Sequence, residues 1–339
     1  MNKKKLLLIR LDKIGDLICT LGVDQTPEIQ NFDRIWVIGN GLGFIADHLK
    51  PTAPKYFELN KIQSWSSFKK LIQLIQKEKP DVAVSFQAPW WVNFALFLSR
   101  VPQRSGVLSQ WHSFLFLNKG LRQKRSQSTQ HESQYNQELL CYALDLPFQK
   151  SHIVELELKN SSQENTTFLE QKKLRSKNYI VVHPGMAGSA LNWPVHKYVE
   201  FILSVGQHTH VVLTGTSMDD PWIQPILEQL QKSSLFSQLQ LTNLQSQLSP
   251  TELLLILKNA ISVVGPSTGV IHLAAALGTP VKAIYSPIRV HHPKRWGPQG
   301  YGPIDIYLPK NPCPEAFNCA GPKCSDYACM EGVNILNEP

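Results

Sequence analysis

The sequence predicts an α/β fold in two halves, each a parallel sheet covered by helices on both faces. Three observations carry that expectation. Short apolar runs suited to buried strands alternate with amphipathic helical stretches along most of the chain. The alternation breaks at Lys159 to Lys177, a segment rich in Ser, Gln, Asn and Lys, and then restarts. At 339 residues, with 42% hydrophobic and 18% charged side chains, the chain is long and apolar enough for two well-buried globular cores. Domains are expected at residues 1–165 and 166–339, with a ligand cleft between them.

Met1-Asn2-Lys3-Lys4-Lys5 followed by Leu6-Leu7-Leu8-Ile9 superficially looks like a secretion signal. The apolar run stops at Arg10 and no small-residue cleavage site follows, so Leu6 to Leu11 reads as a buried strand. Gly15-Asp16 opens a helix to Leu21, and Arg34 to Ile38 is a second strand. Gly39-Asn40-Gly41-Leu42-Gly43 has the look of a dinucleotide loop, but Phe44 stands where the third fingerprint glycine belongs, so the match fails. Phe68, Leu71, Ile72 and Ile75 form the apolar stripe of a helix over Ser67 to Lys79; Pro80 ends it and Asp81 to Phe86 resumes a strand. Gln123 to Gln137 is polar. Beyond the break, strands are expected at Tyr179 to Val182, His210 to Thr214 and Ile261 to Val264, with helices at Trp193 to Val205 and Thr251 to Lys258. No run of apolar residues is long enough to span a bilayer, so the cytoplasm is the default location.

The segment from Val263 to Pro280 is the most informative. A strand breaks at Gly265-Pro266, Ser267-Thr268-Gly269 follows, and an apolar helix runs to Gly278. The first amides of a helix lack intrahelical partners and carry partial positive charge, so such a turn suits an anion. An ordinary helix cap is the alternative. Two further turns follow strands in the same half: His183-Pro184-Gly185 with Gly188-Ser189, and Thr214-Gly215-Thr216. Three such turns at strand ends point to a phosphate-bearing ligand. The net charge of +8 suits an anionic partner. Lys119, Arg122, Lys124 and Arg125 cluster without a nucleic-acid motif, so an anionic lipid or sugar phosphate is preferred, with a solvated loop as the alternative. Cys313, Cys319, Cys324 and Cys329 sit at intervals that, as a set, match no common zinc pattern. No metal is assigned; a metal or redox role and free structural thiols both stay open.

Four blocks, in order, resemble the ADP-heptose:lipopolysaccharide heptosyltransferases of glycosyltransferase family 9. Arg10-Leu11-Asp12-Lys13-Ile14-Gly15-Asp16 is similar to the family's R-L-D-x-x-G-D, and His183-Pro184-Gly185 through Asn192-Trp193-Pro194 to its H-P-G…N-W-P block. Gly265-Pro266-Ser267-Thr268-Gly269 through His272-Leu273-Ala274-Ala275 and Arg295-Trp296-Gly297-Pro298 match its two later signatures. The resemblance implies the GT-B architecture of two Rossmann-like domains whose sheets face a central cleft, the N-terminal one binding acceptor and the C-terminal one nucleotide sugar. It implies inverting transfer from ADP-heptose to a lipopolysaccharide core or related acceptor, with a GT-B transferase for a different nucleotide sugar, or a non-catalytic nucleotide-sugar- or glycan-binding relative, as the alternatives. Asp16 is then the general base, with Asp12 as second choice. The donor would be held by Gly185, Ser189, Thr214, Gly215, Ser267, Thr268 and Gly269, with His272 reaching it or steadying its loop and Asp219 near the ribose. Arg104, Lys119, Arg122 and Lys124, with Trp90-Trp91 nearby, would hold an anionic glycolipid, and the basic charge would keep a monomeric enzyme near an inner-membrane surface. The chain contains no Asp-x-Asp, so neither metal nor cofactor is expected. It departs from the family at Leu191-Asn192, where many members carry Lys or Arg, and at Ser267, where many carry Asp. Arg10, Lys13, Arg289 and Arg295 are the candidate replacements for that cation.

Overall fold

A computed structural model describes residues 3–159, 161–186, 191–325 and 328–335. The chain forms two compact units, Met1–Arg125 with Gln130–Leu156, and Ser126–Thr129 with Glu157–Pro339. In the first unit the order is β1 (Lys5–Arg10), α1 (Ile14–Leu21), β2 (Asp33–Gly39), α2 (Gly43–Asp47), β3 (Tyr56–Leu59) and α3 (Trp65–Glu78). It continues with β4 (Val82–Ser85), α4 (Trp90–Leu98), β5 (Gln103–Val107), α5 (Trp111–Phe116), β6 (Lys119–Leu121) and α6 (Glu132–Ala143). The second unit holds α7 (Ser162–Gln171), β7 (Tyr179–Val182), α8 (Val195–Val205), β8 (His210–Leu213), α9 (Asp220–Gln231) and β9 (Leu241–Asn243). After these come α10 (Pro250–Asn259), β10 (Ser262–Pro266), α11 (Gly269–Ala276), β11 (Val281–Ile284), α12 (Pro293–Trp296) and β12 (Ile304–Tyr307).

Each unit has one six-stranded parallel sheet, ordered β3-β2-β1-β4-β5-β6 in the first and β12-β11-β10-β7-β8-β9 in the second. Numbered from its own first strand, each reads 3-2-1-4-5-6, the Rossmann order. The central strands are apolar without alternation because both faces are covered: Leu6 through Ile9 are fully buried. Leu7 lies opposite Ile35 on one side and Ala83 on the other. Leu71, Leu74 and Ile75 of α3 and Trp91, Val92, Ala95 and Leu96 of α4 pack on Leu7, Ile9 and Val37. Each such side chain contributes about 1.5–3 kcal/mol of burial. In the second unit Tyr198, Phe201 and Ile202 of α8 and Ile226 and Leu230 of α9 pack on Val182, Val211 and Val264, joined by Met330, Val333 and Ile335 of the tail.

Helix ends follow local chemistry. Ser64 caps α3 by accepting from the Ser67 amide, and Lys79, in a left-handed conformation, closes it before Pro80. Ser249 and Glu252 form a capping box on α10. Two polar stretches are more ordered than their composition suggests. The run from Gln123 to Gln137 contains the start of α6, whose Glu132, Asn136 and Gln137 are buried. Asn136 donates to Thr20 Oγ1 (3.0 Å) and the Cys19 carbonyl (3.1 Å), and Gln137 donates to Thr26 Oγ1 (3.0 Å). The segment from Lys159 to Lys177 contains α7, capped by Ser161 and Glu164. At the glycine turn after β2, the Gly41 and Gly43 amides donate to the Glu58 carboxylate at 3.0 and 2.6 Å. A carboxylate of the chain itself fills the anion position that the failed fingerprint imitates.

Candidate active site

In a sheet of this order, ligands bind beyond the carboxyl ends of the strands where the order reverses. The reversal lies between β1 and β4 in the first unit and between β7 and β10 in the second. The residues singled out from sequence at Asp12 to Asp16, His183 to Gly185 and Ser267 to Gly269 follow β1, β7 and β10.

In the first unit the centre of the site is Arg10, the last residue of β1 and fully buried. Its Nη2 donates to Asp16 Oδ1 in a short contact and to Gln87 Oε1 at 3.4 Å, and Nη1 donates to the Phe86 carbonyl at 3.3 Å. Its Nε lies 2.9 Å from Asp12 Oδ2, and Nη1 lies 3.7 Å from Glu132. Burial opposes the guanidinium charge, yet Asp16, Asp12 and Glu132 outweigh it and raise the Arg10 pKa. Asp12 also pairs with Lys61, so both its oxygens are engaged. Asp16, at the third position of α1, gives Oδ1 to Arg10, and its side chain is 22% exposed against 13% for Asp12. Gln87, just past β4, has φ of 56°. This strained left-handed backbone turns its side chain to Arg10 and to an adjoining polar cavity.

That cavity, about 290 Å³, is lined by Asp12, Lys61, Gln87, Asn93, Gln110 and His112, among others. Asn93 lies 3.3 Å from His112 Nδ1, whose Nε2 lies 2.8 Å from Gln110 Oε1. Burial lowers the His112 pKa, which fits a neutral ring accepting at Nδ1 and donating at Nε2. Sequence reading missed these residues because their meeting depends on α4 and α5 returning to β4 and β5.

The expected acceptor residues lie elsewhere. Arg104 is engaged by the chain, donating to the Phe116 carbonyl (2.8 Å) and the Val101 carbonyl (2.6 Å). Lys119 pairs with Asp145 at 2.5 Å. Arg122 is exposed over the Phe114 ring, and Lys124 is exposed. Arg125 is buried against Glu132, so the basic run is not one solvated loop. Trp91 is core, whereas Trp90 is 39% exposed.

In the second unit, the His183 carbonyl stands 2.6 Å from where a Cβ on Gly265 would be, so only glycine lets β7 and β10 end together. His183 Nδ1 lies 3.1 Å from Thr214 Oγ1, which ties the end of β7 to that of β8. Burial lowers the His183 pKa to about 4 against the opposing pull of Asp219. A Cβ on Gly185 would lie 2.1 Å from Asp219 Oδ1, and one on Gly215 would lie 2.5 Å from Ile223. Gly185, Thr214, Gly215 and Asp219 therefore form one packed corner. Asp219 Oδ2 accepts from the Thr216 amide (2.8 Å) and hydroxyl (3.0 Å), closing a capping box. Its buried carboxylate is engaged within the turn rather than solvated. Ser267 donates its amide to the Ile284 carbonyl at 2.9 Å, and Thr268 occupies the α11 cap position without a side-chain cap bond. Both are half-buried, while His272 is buried one turn into the helix. Gly188 and Ser189 lie outside the described residues.

Asn192 stands where a cation was sought. Its Nδ2 donates to the Pro184 carbonyl (2.8 Å), and its Oδ1 accepts from the Trp193 amide (2.7 Å) and Tyr198 hydroxyl (2.8 Å). Of the candidate replacements, Arg10 and Arg295 are buried, and Lys13 and Arg289 are exposed. Among the described residues no group of three His, Cys, Asp or Glu is arranged to hold a metal ion.

The sequence profile of glycosyltransferase family 9 (heptosyltransferase) matches residues 68–318. A Haemophilus influenzae protein provisionally named a glycosyltransferase is 25% identical over 305 residues, 87% of this chain and 86% of its own. The structure of Escherichia coli ADP-heptose LPS heptosyltransferase II aligns with TM-score 0.72 at 19% identity, covering 91% of both chains. A family 9 glycosyltransferase from Veillonella parvula aligns with TM-score 0.73 at 17% identity, covering 90% of this chain and 86% of its own. These two likenesses show the same GT-B-like fold.

Proposed function

The chain belongs to glycosyltransferase family 9, and on that premise we propose that it transfers a heptose from ADP-heptose to a lipopolysaccharide-core or related acceptor, with inversion, Asp16 as general base and no metal in the transfer step. The observation that carries this reading is the Arg10–Asp16 pair. Arg10 occupies one oxygen of Asp16 and fixes the carboxylate, and the partly exposed side chain offers the other to an acceptor hydroxyl proton. Asp12, with both oxygens engaged, is the poorer base. The donor diphosphate rests on the turn Ser267-Thr268-Gly269 at the start of α11, where the partial positive charge of the helix N-terminus stabilises the leaving group. Gly185, Thr214 and Gly215 shape the adjoining corner, Asp219 positions it, and exposed Arg289 supplies the cation that Asn192 does not. The acceptor sugar uses the polar cavity beside Asp12, whose Lys61, Gln87, Asn93 and Gln110 offer donors and acceptors.

Among the described residues no helix is long and apolar enough to cross a membrane. Peripheral contact is supported by a face of the first unit. Ring contacts run from Trp65 through Phe68, Phe94 and Phe116 to Trp111, and Trp65, Phe97, Trp111 and Phe114 are exposed. Arg122 stands over Phe114 of this face and Lys124 is exposed two residues further on, a combination suited to anionic headgroups.

A different nucleotide sugar is the second reading, favoured by Asn192 where many family members carry a cation and by Ser267 where many carry Asp. Calorimetry against ADP, UDP and GDP separates the two. Preference for ADP supports the heptose donor, and preference for UDP or GDP overturns it.

A further inference from the structure

We propose that Cys313, Cys319, Cys324 and Cys329 form a four-thiolate site for one thiophilic divalent ion, zinc or iron, that ties the 311–333 segment to the second unit. All four side chains line one cavity of about 190 Å³, together with Leu191, Pro287 and Met330. All four are free thiols. Four soft donors lining one small cavity are the ligand set of a closed thiolate site, and both intervals after Cys319 fall within the usual ligand spacing. Among the described residues no three of these donors are arranged to hold an ion, so the proposed site requires the segment to draw its thiolates together on binding. Each thiol that ligates releases its proton to solvent, leaving a dianionic centre around a divalent ion.

The segment carries little regular structure. Its helical turns are Gly321–Lys323 and Cys329–Gly332, and apart from Met330 and Val333 its described side chains lie outside the core. Beside the Glu331 Oε2–His196 Nε2 pair at 2.8 Å, hydrogen bonds to its carbonyls tie it to the second unit. Trp193 Nε1 donates to the Val333 carbonyl at 2.9 Å, and the amides of Arg289 and Val290 donate to the carbonyls of Glu315 and Ala316 at 3.4 and 3.0 Å. Cys313 stands just before Glu315 and Ala316, so a metal there stiffens the backbone that holds Arg289. Only this consequence rests on the proposed role of Arg289 at the diphosphate; the metal site does not.

The test is metal analysis of the full chain purified under reducing conditions without chelator. The expected result is about one zinc or iron per chain, with no acid-labile sulfide. The double variant Cys324→Ala/Cys329→Ala loses at least nine-tenths of it, and Cys141→Ser keeps it. If the double variant does not fold, the wild-type chain still decides: a mercurial reagent releases the ion as the four thiols react, and Co²⁺ in its place gives thiolate charge-transfer absorption. Absence of metal together with no such absorption, disulfides among the four by mass spectrometry, or labile sulfide with several irons overturns the proposal. Loss of the ion also raises KM for the donor, whichever nucleotide sugar calorimetry selects.

Discussion

Arg10 faces three carboxylates with no solvent exposure, so its removal and the removal of one partner have different consequences. Arg10→Met leaves Asp12, Asp16 and Glu132 without their shared cation and is expected to destabilise the first unit by about 3–5 kcal/mol in urea melts. Asp16→Asn keeps an oxygen for the Arg10 donor and leaves two carboxylates in place. Its melting temperature should stay within a few degrees of wild type, while kcat falls by roughly 10²–10⁴-fold in a mass-spectrometric transfer assay. Asp12→Asn should retain transfer within about tenfold; if it abolishes turnover while Asp16→Asn spares it, the two roles are exchanged. His183 adds a pH dependence with a definite sign. Its pKa is depressed to about 4, so the folded state binds fewer protons than the unfolded chain between that value and the ordinary imidazole range. Stability therefore falls as pH drops from about 6.5 toward 4, by up to about 1.4 kcal/mol per pH unit from this group. His183→Gln should flatten that part of the profile in melts at several pH values.

At the level of elements, the corner formed by Gly185, Gly215 and Asp219 depends on small residues facing a capped turn. Gly185→Ala puts a methyl group against Asp219, which the Thr216 box holds in place. We expect a loss of about 1–3 kcal/mol in stability and at least tenfold weaker nucleotide binding by calorimetry. Asp219→Ala in the same chain should return part of the stability, and additivity of the two changes would show that they do not meet. These turns were legible in the sequence because strand, small-residue turn and helix start lie within a dozen residues of one another. Central strands such as β1 and β10 were legible for the same reason: burial on both faces writes an unbroken apolar run. β5, with the sequence Gln-Arg-Ser-Gly-Val, carries no such run, and its place comes from pairing with β4. The start of α6 was unreadable in another way. Its polar residues are buried because Arg125, Arg10, Thr20 and Thr26 bring partners from other elements, and no local period records that. The polar cavity beside Asp12 was hidden likewise, since Lys61, Gln87 and His112 are distant in sequence.

For the molecule as a whole, the excess of eight positive charges and the aromatic face of the first unit have one physical reading in common. Basic charge alone gives attraction that salt screens within about 10 Å at 0.1 M. Exposed Trp65, Trp111 and Phe114 add an apolar term that salt does not weaken. The two terms can be separated by sedimentation with vesicles. Replacing the three aromatic residues with Ala should lower partition onto anionic vesicles by about tenfold while preserving its salt dependence. Replacing Arg122 and Lys124 with Gln should remove about 1 kcal/mol per charge and flatten the salt dependence instead. Neither change touches Arg10, Asp16 or the turn at Ser267, so transfer to a short water-soluble acceptor should stay near the wild-type rate. Transfer to acceptor embedded in vesicles should fall in parallel with partition. Equal loss on both acceptors would place the aromatic face inside the acceptor site rather than on the membrane.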